Sequence, residues 1–428
     1  MAKQAKQWGA IIVMIALFAM IAFVTNLCTP MATIIKNQGE ISNVLAQIGN
    51  YGNFVAYLVM GIPAGMLIAK FGYKKTALIG LVVGIVGILI QWASGLIDAG
   101  DGSNIGVVFG VYLLGAFISG LTMCILNCVV NPMLNLLGGG GNAGNQLIQI
   151  GGVFNSTAAV CCYILMGALI ADATKAKIAD ATPALMIALA IFAIAFVVIL
   201  FTKIEEPEQA PVEVSLVKGA MSYRHFALGA LAIFLYMGIE VGVPNYVLQY
   251  LTSGDEAHGF AAISAGVAGL LVAVYWFMML VGRFVGAAIG SKVSSRAMVT
   301  TVSIATLVLV LGGMFAPSDV LVNFPGVDWG KLELIWQEIP VGIFLFLLVG
   351  LCTSVMWGAI FNMAVEGLGK YTAIASGIFM TMVFGCAVMM AIQGWVADLT
   401  DYITSFWVVV FCAAYILFYA LVGSRVKK

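Results

Sequence analysis

Apolar runs of membrane-spanning length alternate along this chain with short polar or Gly/Pro breaks. Six such runs lie near residues 8–35, 43–69, 76–95, 106–137, 143–171 and 183–202, and six more near 226–252, 258–290, 297–315, 340–368, 371–397 and 402–424. The core of a bilayer takes about 20 apolar residues per helix, so each run predicts one transmembrane helix. Runs longer than that predict tilt or extension past the membrane. The apolar positions are continuous and do not alternate with period two, which argues against an outer-membrane barrel. The most polar, proline-containing stretch, KIEEPEQAPVEVSLVKGAMSYRH (203–225), divides the runs six and six. The expected fold class is therefore an all-α membrane protein: a six-helix half (1–202), a linker (203–225) and a second six-helix half (226–428).

Composition narrows the function. Of 428 residues, 62% are hydrophobic and 9% charged, whereas a soluble domain carries roughly a quarter charged residues. Such a chain cannot cover a water-facing surface, which excludes a soluble enzyme or a disordered protein. A formal net charge of zero also argues against nucleic acid as a partner. The basic residues are unevenly placed: with both termini on one side, fifteen lie on that side and only Lys36, Lys175, Lys177 and Lys331 on the other. Cytoplasmic loops hold the excess of Lys and Arg. The termini and linker are thus expected in the cytoplasm and the protein in the cell (inner) membrane. The leader MAKQAKQ reads as the flank of the first span, not as a cleaved signal.

The two halves also repeat. GIPAGMLIAKFGYKKTALIG (61–80) aligns with GRFVGAAIGSKVSSRAMVTT (282–301), matching Gly61 and Gly65 to Gly282 and Gly286, and Lys75 to Arg296. A weaker match pairs Gly120-Leu121 with Gly350-Leu351. Two parallel six-helix halves are the mark of a transporter that rocks about a central site. Candidate gating-loop residues are Gly65, Lys70, Gly72, Lys74, Lys75, Arg283 and Arg296. The glycines suit close helix packing as readily as gating.

These features resemble the major facilitator superfamily. They are more specifically similar to its fucose permease and glucose/galactose permease family of sugar:proton symporters. The likeness runs through nearly the whole chain. It is carried by IPAG (62–65), Asn131-Pro132 with LLG (136–138), FNS (154–156), FLY (234–236) followed by Glu240, GRF (282–284) and IFNMAVEGLG (360–369). The resemblance implies a two-half, twelve-helix transporter with a sugar substrate. Three departures stand out. The acidic member of the family's second loop is missing between Gly65 and Lys75. Asn26 and Asn127 occupy the places of the fucose permease's intramembrane Asp and Glu. Gly358 stands where the tenth span usually has Pro.

A charged group in hydrocarbon costs a few kcal/mol, so each one in a span calls for a partner or an aqueous cavity. Glu240, in FLYMGIEVGVPNYVLQYL, is the one ionisable group deep in a predicted helix. A carboxyl that gains and loses a proton while exposed alternately to each side would couple transport to H+. As an anion it would instead hold Na+, and a structural hydrogen bond to a neighbouring helix is the plain alternative. Gly242 and Pro244 break the same helix beside Asn245 and Gln249.

Amides cluster in the first half: Asn26; Gln47, Asn50 and Asn53 on one face of the second span; Asn127 and Asn131 on one face of the fourth; Gln149 and Asn155 in the fifth. Amides pair donors with acceptors as an uncharged polyol does, and aromatic faces suit its C–H surface. The second half offers Asn245, Tyr275, Trp276, Trp357 and Asn362 for this. Each amide alone serves equally as helix–helix glue. The expected substrate is a small neutral sugar, probed by these residues, with H+ or Na+ as coupling cation and a passive uniporter as the rival. Neither His225 nor His258 has a partner at ligand spacing, and the cysteines read as small apolar residues, so no metal and no cofactor are expected. The glycine run GGGGNAGN (138–145) lacks a P-loop lysine and reads as a turn. An intramembrane enzyme would need a nucleophile–base pair or metal triad, which the spans do not show. A monomer in the lipid bilayer is expected.

Overall fold

The computed structural model describes residues 7–27, 48–97, 104–137, 141–169, 177–204, 216–254, 260–289, 293–328, 333–368 and 371–426. The first half contains α1 (Trp8–Asn26), a helical run Ile48–Leu96, α4 (Ile105–Leu137), α5 (Gly141–Leu169) and α6 (Thr182–Phe201). The Ile48–Leu96 run turns at Gly72, whose φ of 78° only glycine adopts without strain, so it forms two spans, α2 (48–71) and α3 (73–96). The second half contains α7 (Arg224–Ser253), α8 (Ala265–Ile289), α9 (Ser295–Phe315) and α10 (Val341–Val365). The α11 span runs in two pieces, Thr372–Met382 and Gly385–Leu399, and α12 covers Thr404–Gly423. Ten of the described spans are long and apolar enough to cross a bilayer, and Gly52–Ile68 and Ile150–Met166 are the apolar stretches of α2 and α5. The predicted runs and the helices agree closely; residues 28–35 and 43–47 of the first two lie outside the described residues.

One element departs from the all-α expectation. Leu321–Asp328 (β1) and Glu333–Pro340 (β2) pair antiparallel between α9 and α10, with Leu321 opposite Pro340 and Asp328 opposite Glu333. In β2 exposure alternates from Leu334 to Ile339, the period of a half-exposed strand, although the residue types do not alternate. It is too short and too polar to register as a span.

Three contacts gather the loops at one end of the bundle, the linker end. Lys74 Nζ, at the start of α3, donates to the carbonyls of Leu200 (3.0 Å) and Thr202 (2.8 Å) where α6 finishes. Arg296 Nε, at the start of α9, donates to Ser424 Oγ (3.3 Å) just past α12. His225 Nε2 bonds the Glu366 carbonyl at 2.8 Å, joining the start of α7 to the end of α10. A cation beside the last carbonyls of a helix also complements its dipole. Two of the predicted gating bases, Lys74 and Arg296, thus work within their own halves, tying third to sixth and ninth to twelfth helix. Lys70 and Lys75 are exposed at the same end, and Gly65 has open space around it.

Glycines set how closely the helices approach. A β-carbon on Gly87 would lie 3.0 Å from the Gly115 carbonyl, and one on Gly115 would lie 2.8 Å from that of Gly87. The same reciprocal contact recurs between Gly313 and Gly342, at 3.0 and 2.5 Å. Likewise Gly120 abuts the Asn53 carbonyl as Gly350 abuts that of Tyr275, whereas Gly385 abuts the Phe234 carbonyl and Gly151 meets the Phe18 ring. Where the halves meet, α5 packs on α8 and α2 on α11. Gly61 rests on Thr381, Gly152 on Arg283, and Tyr163 stacks on Trp276 with centroids 6.3 Å apart. By these contacts Gly61 seals the boundary between halves, whereas its sequence match Gly282 packs inside the second half on Ser354.

Added methyl groups at such contacts overpack the interface, at a cost of about 1–3 kcal/mol. Gly350→Ala is expected to lower the thermal unfolding midpoint in detergent. Gly358→Ala, where nothing lies within 4 Å of the new atom, is expected to leave it unchanged or raise it.

Candidate functional site

Glu240 stands sixteen residues, ~24 Å along the helix axis, from Arg224 at the linker end of α7. Ile239 and every residue from Val241 to Thr252 are buried, yet Glu240 itself remains half-exposed. An acid in the middle of a span calls for a polar partner or an aqueous cavity.

The backbone around it follows from Pro244. Proline has no N–H to give to the carbonyl four residues earlier, that of Glu240. The Tyr275 hydroxyl of α8 supplies the missing donor at 3.0 Å and also lies 3.2 Å from Thr353 Oγ1 of α10. Tyr275 is fully buried, so its ring acts as a strut from α8 through α7 to α10. The Tyr236 hydroxyl, one turn before Glu240, donates to the Thr353 carbonyl of α10 at 3.3 Å, and Tyr236 and Arg283 of α8 lie near enough to Glu240 to act on its carboxyl. The Trp357 ring, half-buried, lies 6.1 Å from that of Tyr236. Glu240, Tyr236 and Trp357 thus share one corner of the bundle. Tyr236 could have been found from its i−4 spacing to Glu240; Thr353 could not.

Arg283 is placed differently from the loop base expected. It is half-buried on α8, and its Nη1 donates to the carbonyl of Gly152 on α5, in the other half. Gly152 leaves room for it: a β-carbon there would sit 3.2 Å from Nη1.

Most first-half amides are engaged as donors. Asn127 Nδ2 donates to the Tyr57 hydroxyl of α2 (2.9 Å), Asn131 to the Asn127 carbonyl (3.2 Å) and Asn155 to the Phe18 carbonyl of α1 (2.9 Å). All three stay half-exposed. Asn26 is buried and turned back on its own helix, to the Ala22 carbonyl at 2.8 Å. Tyr57, which the sequence did not single out, is itself buried. Gln47, and the side chains of Asn50 and Gln149, lie outside the described residues, as does His258.

In the second half Asn245 is fully buried with its amide on the Met390 sulfur (3.6 Å), leaving its Oδ1 unpartnered. One turn further, Gln249 is buried with neither amide atom partnered. Trp276 is also buried with its indole N–H unpartnered. Asn362 is exposed three residues before the end of α10, away from the Glu240 corner. Among the described residues no cluster of three His, Cys, Asp or Glu side chains could hold a metal.

Comparison with known proteins finds the model of the Major Facilitator Superfamily matching residues 11–384. The chain is 28% identical to a glucose/galactose transporter of Brucella abortus, over 96% of this chain and 92% of that one. It is 20% identical to the L-fucose-proton symporter of Escherichia coli, over 99% and 96%. Among solved structures, it superposes on the transporter FucP in the outward conformation with a TM-score of 0.69 at 19% identity, covering 97% of this chain and 98% of that one.

The strut can be tested by a double-mutant cycle. Tyr275→Phe strips the donor from the Glu240 carbonyl, and an orphaned buried group costs about 1–3 kcal/mol. In a Pro244→Ala background, which restores the helical N–H, the same substitution is expected to cost measurably less in thermal stability.

Proposed function

The chain belongs to the major facilitator superfamily, and from that premise we propose that it imports a neutral sugar, a hexose or related monosaccharide, by alternating access. Proton coupling through Glu240 completes the reading. The observation that carries it is an acid at mid-span, Glu240, partly exposed in an otherwise buried stretch of helix and one turn from Tyr236, whose ring lies against Trp357.

The relatives matched end to end transport glucose, galactose or fucose, which supports a sugar substrate. The half-exposed amides Asn127, Asn131 and Asn155 offer oxygens and N–H groups that match sugar hydroxyls, and Trp357 offers a ring face. Asn26, Asn245, Tyr275 and Asn362 are weaker candidates for direct contact, since the first three are buried and the last sits near the linker end. Gln47, Asn50 and Gln149 stay in the proposal on their sequence positions. The residues 1–202 and 226–428 are the two moving halves. Glycine contacts that recur in both are the support for that division. The linker end, richest in basic residues, is proposed to face the cytoplasm from the inner membrane, with a monomer as the working unit.

H+ is favoured over Na+ by one contact. The backbone oxygen that Pro244 releases at Glu240, a natural ligand for a hard cation, is already taken by the Tyr275 hydroxyl. A passive uniporter would leave Glu240 without a task.

Glu240→Gln is expected to abolish gradient-driven accumulation of the sugar in proteoliposomes while preserving exchange of labelled for unlabelled sugar. Accumulation by this variant at the wild-type level would refute the coupling role.

A further inference from the structure

The three half-exposed amides of the first half are all held by the nitrogen. Asn131 Nδ2 donates to the Asn127 carbonyl at 3.2 Å, and Asn155 Nδ2 to the Phe18 carbonyl at 2.9 Å. A backbone carbonyl can only accept, so these contacts fix which end of each amide they engage. Asn127 Nδ2 donates to the Tyr57 hydroxyl at 2.9 Å. In all three, the oxygen end with both its lone pairs is left for a ligand. Pro132 adds a further acceptor on the same stretch of α4. Lacking an N–H, it leaves the Cys128 carbonyl, four residues earlier, without its helical donor.

These amides point into the bundle. Lipid offers an amide nothing, and the neighbours of Asn155 show where it lies. Gly151 meets Phe18 of α1 and Leu134 of α4, and Gly152 meets Arg283 of α8. Phe154 and Cys161, both exposed, mark the outward side of α5. On α4, Asn127 and Cys128 are half-exposed within a stretch, 122–130, that is otherwise buried. Packing brings Tyr57 to Asn127: Gly120 abuts the Asn53 carbonyl and so sets α2 against α4. Tyr57 follows one turn after Asn53, buried, with its ring 6.3 Å from that of Phe54.

We propose that the first half meets its sugar with a wall of hydrogen-bond acceptors. The oxygens of Asn127, Asn131 and Asn155 read hydroxyls as donors, and Tyr57 is the positioning residue that holds Asn127 in that sense. That assignment rests on the neutral-sugar reading given above. It narrows the substrate class: a ligand must bring O–H hydrogens to this side. An anion is disfavoured there, as is a sugar whose hydroxyls at the wall are methylated, deoxygenated or fluorinated. Each leaves an enclosed oxygen with its hydrogen bond unmade.

Fluorine tells an acceptor wall from a donor wall, because a C–F group accepts weakly and cannot donate. D-Glucose, D-galactose and L-fucose are offered to the full-length protein in proteoliposomes. For each sugar that binds, its matched deoxy and deoxyfluoro analogues compete against it. A hydroxyl belongs to the wall when its deoxy penalty, expected at about tenfold, shrinks in Asn127→Ala, Asn131→Ala or Asn155→Ala. At those hydroxyls the deoxyfluoro analogue is expected to bind no better than the deoxy one. In Tyr57→Phe the Asn127 amide is free to turn its N–H outward, and fluorine should recover affinity at the hydroxyl that Asn127 reads and at no other. A merely structural Tyr57 would shift all analogues together. Deoxyfluoro analogues that regain most of the lost affinity at the wall hydroxyls in wild type overturn the proposal. So does a sugar whose binding depends on none of the three amides. An unchanged analogue profile in Tyr57→Phe overturns the positioning role. Should the alanine variants fail to fold, the wild-type profile decides: fluorine rescue at every hydroxyl that matters overturns the wall, and a hydroxyl it does not rescue supports it. All of these outcomes leave the sugar reading standing, whereas failure of all three sugars to bind removes that reading and this inference together.

Discussion

Backbone meeting backbone at glycine is the contact from which the rest of this protein is built. Lipid tails are as apolar as leucine, so helices in a bilayer gain little from hiding side chains and must gain from close packing. Gly87 with Gly115 and Gly313 with Gly342 bring their helices to within a carbonyl's reach, and Gly120 and Gly350 do the same against Asn53 and Tyr275. Each half is locked by the same few approaches. The boundary between halves has fewer, notably Gly61 on Thr381 and Gly152 on Arg283. Close glycine approaches that recur in both halves suit two like bodies moving about a shared site.

The second constraint is that lipid offers no hydrogen bonds. It explains why the break at Pro244 is answered by Tyr275, why Lys74 and Arg296 cover helix ends, and why the first-half amides mostly point at carbonyls or a hydroxyl. Asn245 Oδ1 and the whole Gln249 amide are among the buried polar groups left without a partner. Both lie beyond Glu240 on the same helix, the region that Gly242 and Pro244 loosen.

Helix positions were legible because an apolar run of about 20 residues has one economical use in a membrane. The importance of Glu240 was legible for the same reason, as a charge where none is cheap. Partnerships were not. Tyr275 looked like a platform for a sugar because its ring is all a sequence displays, whereas its hydroxyl has a backbone vacancy to fill. Arg283, seven residues short of the loop, read as a loop base because helix spacing says nothing of where a long side chain reaches. Asn26 read as part of a polar cluster, yet its amide closes on its own helix. The β1–β2 pair escaped because its eight-residue segments are far shorter than a span and their residue types do not alternate.

That hairpin has a practical side. Gly326 of β1 rests on Val267 of α8, and β2 runs directly into α10, so its described contacts lie in the second half. Trp336 and Leu334 stand out from it, well exposed. A projection whose described contacts belong to one moving body is a natural fiducial. A small antibody fragment clamped to it would add mass for electron cryomicroscopy while leaving the rocking motion free.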